Sequence, residues 1–433
     1  MFLKKYFVKL CFSLSMLLVC PIAYSNDTTS FDGAVYAMSN DFDRNTVVAY
    51  GRDDDGRLNL IGESATGGKG EAFDGGEGLD PLISAYALLL ADDRHYLIAV
   101  NAGSSSISVF RANPDFSLQL TDQRRVYGVG PNSIAYDRGL IYVSSIDVDG
   151  RFAGEPDQEG VLTGYRLTRK GKLRFVRKSG RLLGNRPSAI QFSPDGKHLV
   201  VTSINAGSAT LASGSTDELV VYRVLRNGSL SSRPVSRTAS TFPDNDEGRN
   251  LPSAIGFEIV QDGYDQYVVV TEAREFQSDG TPPAFAALQT GSVSTWQLGK
   301  YGSLTPIKLD VLAGNSFTDG ERTACWIEFS PDQRTFWVSN ALESTLSSFS
   351  FANGEVELVE QVAAAGTPPS SDDPFGTTDG WIDLWRSDDG QYVYQLFGLD
   401  GTIGVFKVED SVLTLIQEVS DLPESNTQGI VAF

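Results

Sequence analysis

One element recurs along almost the whole chain. It reads RPSAIQFSPDG from Arg186, LPSAIGF from Leu251, ACWIEFSPD from Ala324, PNSIAYDRG from Pro131 and DGWIDLWRSDDG from Asp379. Each copy is followed by a β-rich run: HLVVTS, QYVVVTE, TFWVSN, LIYVSS and QYVYQLFG. A second such run comes next: ELVVYRV, SVSTWQL, TLSSFSF, VLTGYRL and TIGVFKV. A glycine turn and a fourth run complete most units, as at Asn227-Gly228-Ser229-Leu230 and Tyr301-Gly302-Ser303-Leu304. Alternating apolar and polar residues bounded by Gly, Pro, Asn and Asp mark strands. Four strands repeated every roughly 45 to 65 residues predict a β-propeller.

The count is seven blades in one all-β domain. Blade two begins near Pro81. The N-terminal part supplies only three strands, AVYAMSN, TVVAYGR and RLNLIGE, and the fourth is expected in QGIVAF, Gln428 to Phe433. Pairing the two ends of the chain in the first blade closes the ring and hides the sheet edges. Such a ring is expected to be monomeric.

Residues 1–25 read as a secretory signal peptide: Lys4, Lys5 and Lys9, an apolar run from Leu10 to Val19, and Ala23-Tyr24-Ser25 before the cleavage point. The run is short for a membrane span. The expectation is a propeller of residues 26–433, exported to the periplasm or secreted. Cleavage leaves Cys325 as the one cysteine, which excludes an internal disulfide and a thiolate metal cluster. Its apolar neighbours predict a buried, inert thiol. Net charge is −20, and about −23 after cleavage. That much acid argues against nucleic acid and against anionic membranes as partners.

The string SAIQFSPDGKHLVVTS, with VYRV and NGSL after it, resembles the lactonase family of seven-bladed propellers, which includes 6-phosphogluconolactonase and carboxymuconate cyclase. The likeness spans the whole mature chain and implies a lactonase or a lactonising cyclase acting on a small carboxylated or sugar-derived substrate. Active members of the family carry Pro-Arg-His at the start of one inner strand and a Glu at the end of the next. Here the Arg-His columns hold Ser188 and Ala189, the Glu column falls near Ile204 and Asn205, and the corresponding place in blade three reads Pro131-Asn132-Ser133. The resemblance therefore carries the fold and leaves the chemistry to be argued from this chain's own residues.

Three consecutive blades have long loops between their second and third strands, Ile146–Gly160, Ile204–Asp217 and Glu272–Gly291. Long loops grouped on one face point to function there. Glu272 and Arg274 are the first candidates for a catalytic base and an oxyanion clamp. Asn132, Asn185, Arg186, Asn205, Arg322 and Glu343 are candidates for substrate binding. Glu328 and Asp383 are the second catalytic choice. The strings Trp326-Ile327-Glu328 and Trp381-Ile382-Asp383 place them at equivalent positions of adjacent inner strands, where other blades carry Ala135, Gln191 and Gly256. Two neighbouring buried carboxyls would push one pKa up.

Asp147 and Asp149 open a sequence like a calcium loop, but the fifth and twelfth positions are Arg151 and Gln158. Calcium is the metal this acidic loop would take, and no other cofactor is expected. His95 and His198 are expected to share one repeat position on the opposite face, as surface residues. Two functions stay open. One is lactone chemistry. The other is a non-catalytic propeller that binds a protein, a glycan or calcium through its long-loop face. Channel charge discriminates: a positive pocket suits an anionic substrate, and carboxylates at the mouth suit a cation.

Overall fold

The inner strands of the molecule stand around one axis, and each is the first rung of an antiparallel sheet. In this computed structural model the described residues are 31–73, 80–148, 159–204, 218–239, 251–276, 289–366, 379–409, 412–424 and 426–433. The signal-like segment, Asp149 and Asn205 lie outside them. The described strands form seven blades of four antiparallel strands, with the outer strand of blade three split in two, plus a short hairpin at Gly314–Ser316 and Asp319–Gly320.

The first blade closes as expected. Gly33–Met38, Thr46–Arg52 and Leu58–Ala65 come from the N-terminal part, and Ile430–Ala432 pairs with Gly33–Met38 as the innermost strand. Inner and second strands are buried almost throughout, so the blades pack face to face through Val, Ile, Phe, Tyr and Trp. Outer strands are half-exposed and alternate, as in Leu58–Ala65 and Leu118–Arg125. Cys325 is buried in the largest core cluster.

Hydroxyls on the second strands stitch neighbouring blades. Thr202 donates to the Ile255 carbonyl at 2.9 Å, Thr271 to Cys325 at 2.6 Å and Ser339 to Trp381 at 2.7 Å. Gly256 is needed at one of these seams, because a Cβ there would collide with the Cys325 carbonyl oxygen.

The connection into blade two leaves the rim and crosses the channel. Ser84 donates to the Asn132 carbonyl of blade three at 2.8 Å, and its own carbonyl accepts the Trp326 indole N–H of blade six at 3.0 Å. The Tyr86 hydroxyl donates to the Phe257 carbonyl of blade five at 2.5 Å, and the Tyr86 carbonyl accepts the Ile134 N–H at 3.0 Å. Gln428, just before the C-terminal strand, accepts the Leu82 N–H at 2.7 Å and donates to Ser84 O at 2.6 Å and Asp80 Oδ1 at 2.8 Å. Ile83 and Tyr86 sit at φ 47° and 66°, a costly conformation that these bonds hold in place. Residues 80–87 are thus a plug on the long-loop side of the channel.

Removing residues 428–433 is expected to strip blade one of its inner strand and the plug of its anchor, giving aggregation or no folded product. The milder Gln428→Ala keeps the strand but removes three plug bonds, at a cost of roughly 2–4 kcal/mol. Thermal melts of the purified variant should fall by several degrees. An unchanged melting temperature would mean that the plug is not anchored there.

Candidate functional site

Inner-strand register decides which side chains meet in the channel. Gln191 pairs with Val200, Glu258 with Val269, Glu328 with Trp337 and Trp385 with Tyr394. Thr202, Thr271 and Ser339 each lie two residues beyond those partners, which puts Gln191, Glu258 and Glu328 on one level. The turns after the inner strands give the same level for blade seven: Ser330 N–H meets Thr335 O in blade six, and Ser387 N–H meets Tyr392 O in blade seven. Trp385, and not Asp383, is therefore level with Glu328. Blade seven carries two more residues than blade six between its tryptophan and its turn, taken up by a bulge between Trp381 and Leu384. Two residues preserve the face and move Asp383 one pleat toward the plug. A bulge between Ala254 and Phe257 likewise brings Glu258, rather than Gly256, into the column.

The result is an acid pair. Glu328 is buried, and Glu258 lies beside it, part-exposed and sharing a hydrogen bond with it. Arg386 Nε lies 3.1 Å from Glu328 and donates to the Phe329 carbonyl at 2.6 Å. Burial pushes both carboxyls above the ordinary range; the charge of Glu258 raises Glu328 further, and Arg386 opposes both shifts. Burial and mutual proximity make it costly to ionise both carboxyls of the pair together. Asp383 accepts the Gly429 N–H at 2.8 Å and is raised to about 7 by burial. It lines a water-sized cavity under the plug with Tyr86, Trp326 and Trp385. Burial raises the Tyr86 phenol well above its usual value, and the charges of Glu258, Glu328 and Asp383 add to the shift.

Beneath the plug the channel opens on the face of the strand-one-to-strand-two turns. A cavity of about 170 Å³ is lined by Tyr86, Leu89, Ile134, Ala135, Tyr136, Gln191, Phe192 and Trp385. Gln191 accepts the Ile259 N–H at 3.2 Å, which fixes it next to Glu258. Among the described residues the pocket is blind: Tyr86 of the plug lines one end, and Tyr136 and Phe192, beside the strand-one-to-strand-two turns, line the other.

The remaining candidates lie elsewhere. Glu272 is fully buried within the second strand of blade five, Asp265–Phe276, and one carboxylate oxygen accepts Ser292 Oγ at 2.8 Å and Ser294 Oγ at 2.9 Å. Burial raises it to about 8, against the pull of Arg274 and the two serines. Arg274 is buried, ion-paired to Asp310 and stacked 5.8 Å from the Phe317 ring. Arg322 and Glu343 pair with each other. Asn132 is a brace, donating to Pro187 O at 2.8 Å and accepting Ser144 Oγ at 2.8 Å. Asn185 reaches Glu218, and Arg186 lies over Phe73, 5.6 Å from the ring centroid. Asp147 is buried. Among the described residues no three His, Cys, Asp or Glu side chains are grouped to hold a metal.

The histidines do not share a repeat position. The His95 carbonyl accepts Ala112 N–H as the Lys197 carbonyl accepts Val224 N–H, so His95 matches Lys197. His95 is exposed, whereas His198, one residue on, is buried and its pKa is lowered by that burial.

Glu258 is the candidate residue that sequence reasoning misses. Its signal is the tight Asp262–Asp265 turn around Gly263. Counting back from that turn, rather than forward from LPSAIGF, puts Glu258 opposite Val269.

Six carboxyls with raised pKa among the described residues, Glu258, Glu272, Glu321, Glu328, Asp383 and Asp400, give a signed pH dependence. Between the ordinary carboxyl range and about pH 8 the folded chain keeps protons that the unfolded chain has lost. Stability must therefore fall as pH rises through that window, by about 1.4 kcal/mol per pH unit for each group that is protonated in the folded chain alone. His198, lowered by burial, acts oppositely below the ordinary histidine range, as one group against six. Melting temperature is expected to be several degrees lower at pH 8 than at pH 5. Glu272→Gln, which keeps an acceptor for both serines, should raise the melting temperature at pH 8 and flatten the decline. Wild-type and variant melts with equal pH slopes would show that Glu272 is ionised in the fold.

No protein-family model and no curated protein matches the sequence. Solved structures do match the fold. The periplasmic gluconolactonase of Pseudomonas aeruginosa superposes with a TM-score of 0.62 at 16% identity, covering 92% of this chain and 98% of its own. A candidate 6-phosphogluconolactonase from Bacteroides fragilis gives 0.59 at 13% identity, with 94% and 98% covered. A hypothetical selenium-binding protein from Sulfolobus tokodaii gives 0.61 at 12% identity, with 92% and 93% covered. At these identities the likeness is one of fold, the seven-bladed propeller.

Proposed function

We propose that this propeller hydrolyses the lactone ring of a small ligand held in the blind pocket, with Glu258 and Glu328 as its acid–base pair. The observation that carries the reading is the pair itself: two touching carboxyls, one reaching solvent, beside a cavity of small-molecule size. A pair that shares one proton near neutral pH has both roles ready. The Glu258 carboxylate takes a proton from water as the water oxygen bonds to the lactone carbonyl carbon. The proton held on the Glu328 side passes to the ring oxygen as the ring C–O bond breaks. The product is an open hydroxy acid that loses its own proton to solvent; the pair still carries one proton, now on Glu258, and its return to Glu328 across their hydrogen bond resets the site. Arg386, fixed on Glu328 and Phe329, balances the pair's remaining charge. In this reading Glu272 and Arg274 form an internal polar pin near the long loops, and contact no substrate.

The gluconolactonase descriptions of two fold neighbours support lactones as the class to test. The signal-like N-terminus, together with the periplasmic description of one neighbour, supports action outside the cytoplasm. The plug supports a second reading. It closes the long-loop end of the channel, so that face would serve as a surface for a protein or glycan without catalysis.

A panel of neutral aldonolactones and muconolactones, followed by acid release at constant pH, separates the two. Turnover is expected in the wild type, with a loss of roughly a hundredfold or more in Glu258→Gln and little change in Glu272→Gln. No turnover of any lactone, or turnover that survives Glu258→Gln, would remove the acid–base assignment.

A further inference from the structure

The walls of the blind pocket are aromatic, and the carboxyls around it, Glu258, Glu328, Asp383, Asp92 and Asp93, outnumber the cations. Tyr86 and Trp385 stand edge to face, ring centroids 6.4 Å apart and planes at 89°, so they form two perpendicular walls. Tyr136 and Phe192 are part-exposed and line the same cavity. Glu258 reaches solvent at this level, with Glu328 and Asp383 behind it. Asp92 and Asp93 are exposed close to Tyr136, near enough to act on its phenol.

The nearby cations are engaged. Arg386 is held by Glu328 and Phe329 O. Arg94, on the turn next to Asp92 and Asp93, is paired with Asp388 and lies 4.8 Å from the centroid of the Phe433 ring. His95 Nδ1 is 2.7 Å from Asp92 O. Aromatic faces at right angles attract a cation through their quadrupoles, and more strongly where water is excluded. Glu258, next in the chain to the residue that hydrogen-bonds the lining Gln191, adds a counter-ion beside the pocket, and a protein of net charge −20 raises the local concentration of cations.

We infer that the turn-face pocket recognises a small organic cation, an alkylammonium group seated between Tyr86 and Trp385 with Glu258 as its counter-ion. This rests on the pocket being the ligand site proposed above, but not on hydrolysis. If both hold, the substrate is a lactone that carries an ammonium group. A cation at this position favours the ionised form of the acid pair. Binding should therefore expel a proton, and affinity should rise with pH across neutrality.

The test is calorimetric titration of the full-length folded protein with choline and with its uncharged carbon isostere, 3,3-dimethylbutan-1-ol. Choline is expected to bind at least about tenfold more tightly than the isostere. Its apparent enthalpy should depend on the ionisation enthalpy of the buffer, as proton release requires. Trp385→Leu and Glu258→Gln should each weaken choline by roughly tenfold, and Glu258→Gln should also abolish the buffer dependence. Should Trp385→Leu fail to fold, Trp385→Phe keeps a smaller aromatic wall and is expected to weaken choline by about threefold. Equal affinity for choline and isostere, no binding at millimolar choline, or choline binding unmoved by the Trp385 and Glu258 variants would overturn the inference. Lactone turnover without choline binding contradicts this proposal alone. Choline binding without turnover upholds it and contradicts hydrolysis.

Discussion

The side-chain amide of Gln428 holds together three things that this propeller needs. It sits immediately before the strand that completes blade one, and it binds the segment that crosses the channel at Leu82, Ser84 and Asp80. Ring closure, plug position and the blind end of the pocket are thus linked through one residue. A propeller closed only by three strand pairs at Val35–Ala37 and Ile430–Ala432 would have a short seam. The plug extends that seam by bonding onward to blades three, five and six. The positive φ angles at Ile83 and Tyr86 show what the crossing costs, and the bonds on either side offset it.

The plug also sets the electrostatics below it. Tyr86 hangs from the plug into the channel and, with Trp385, shields the inner acids from water on that side. Glu328 and Asp383 are therefore desolvated, and Glu258 is the member of the group that faces the mouth. Desolvated acids destabilise a fold at neutral pH, so a chain that keeps several of them in one channel has given up stability there. Perturbed acids of this kind gather at sites of proton chemistry or ligand charge. Glu272 shows the contrast. It is raised as far, yet two serines hold it between blades and no cavity among those described reaches it.

The blades are legible in the sequence because each strand repeats the same period-two pattern between glycine and proline turns. Closure is legible because the first unit lacks a strand and the last residues form one. The buried state of Cys325 follows from its neighbours. The channel is harder to read, for a definite reason. Motif matching aligns the starts of inner strands, whereas the channel residues are fixed by distance from the turn that follows. Two extra residues in blade seven move Asp383 one pleat away, and the longer strand of blade five brings in Glu258. A slip of one residue has the opposite effect at His198, which pairs with Arg223 inside the sheet while His95 stays outside. The plug has no pattern to announce it, since the bonds that hold it in the channel run to residues 48 to 348 positions away.

The acid pair is the part of this structure on which the functional reading stands, and carboxyl carbon resonances report it directly. In protein labelled at glutamate Cδ, the signals of Glu258 and Glu328, assigned through the Glu258→Gln and Glu328→Gln variants, are followed from about pH 3 to 10. Two coupled steps are expected, with at least one midpoint well above the ordinary carboxyl range, and replacing either glutamate should shift the other's midpoint down. Two independent titrations near about pH 4.5, each indifferent to loss of the partner, would show two separate surface acids and contradict the shared proton.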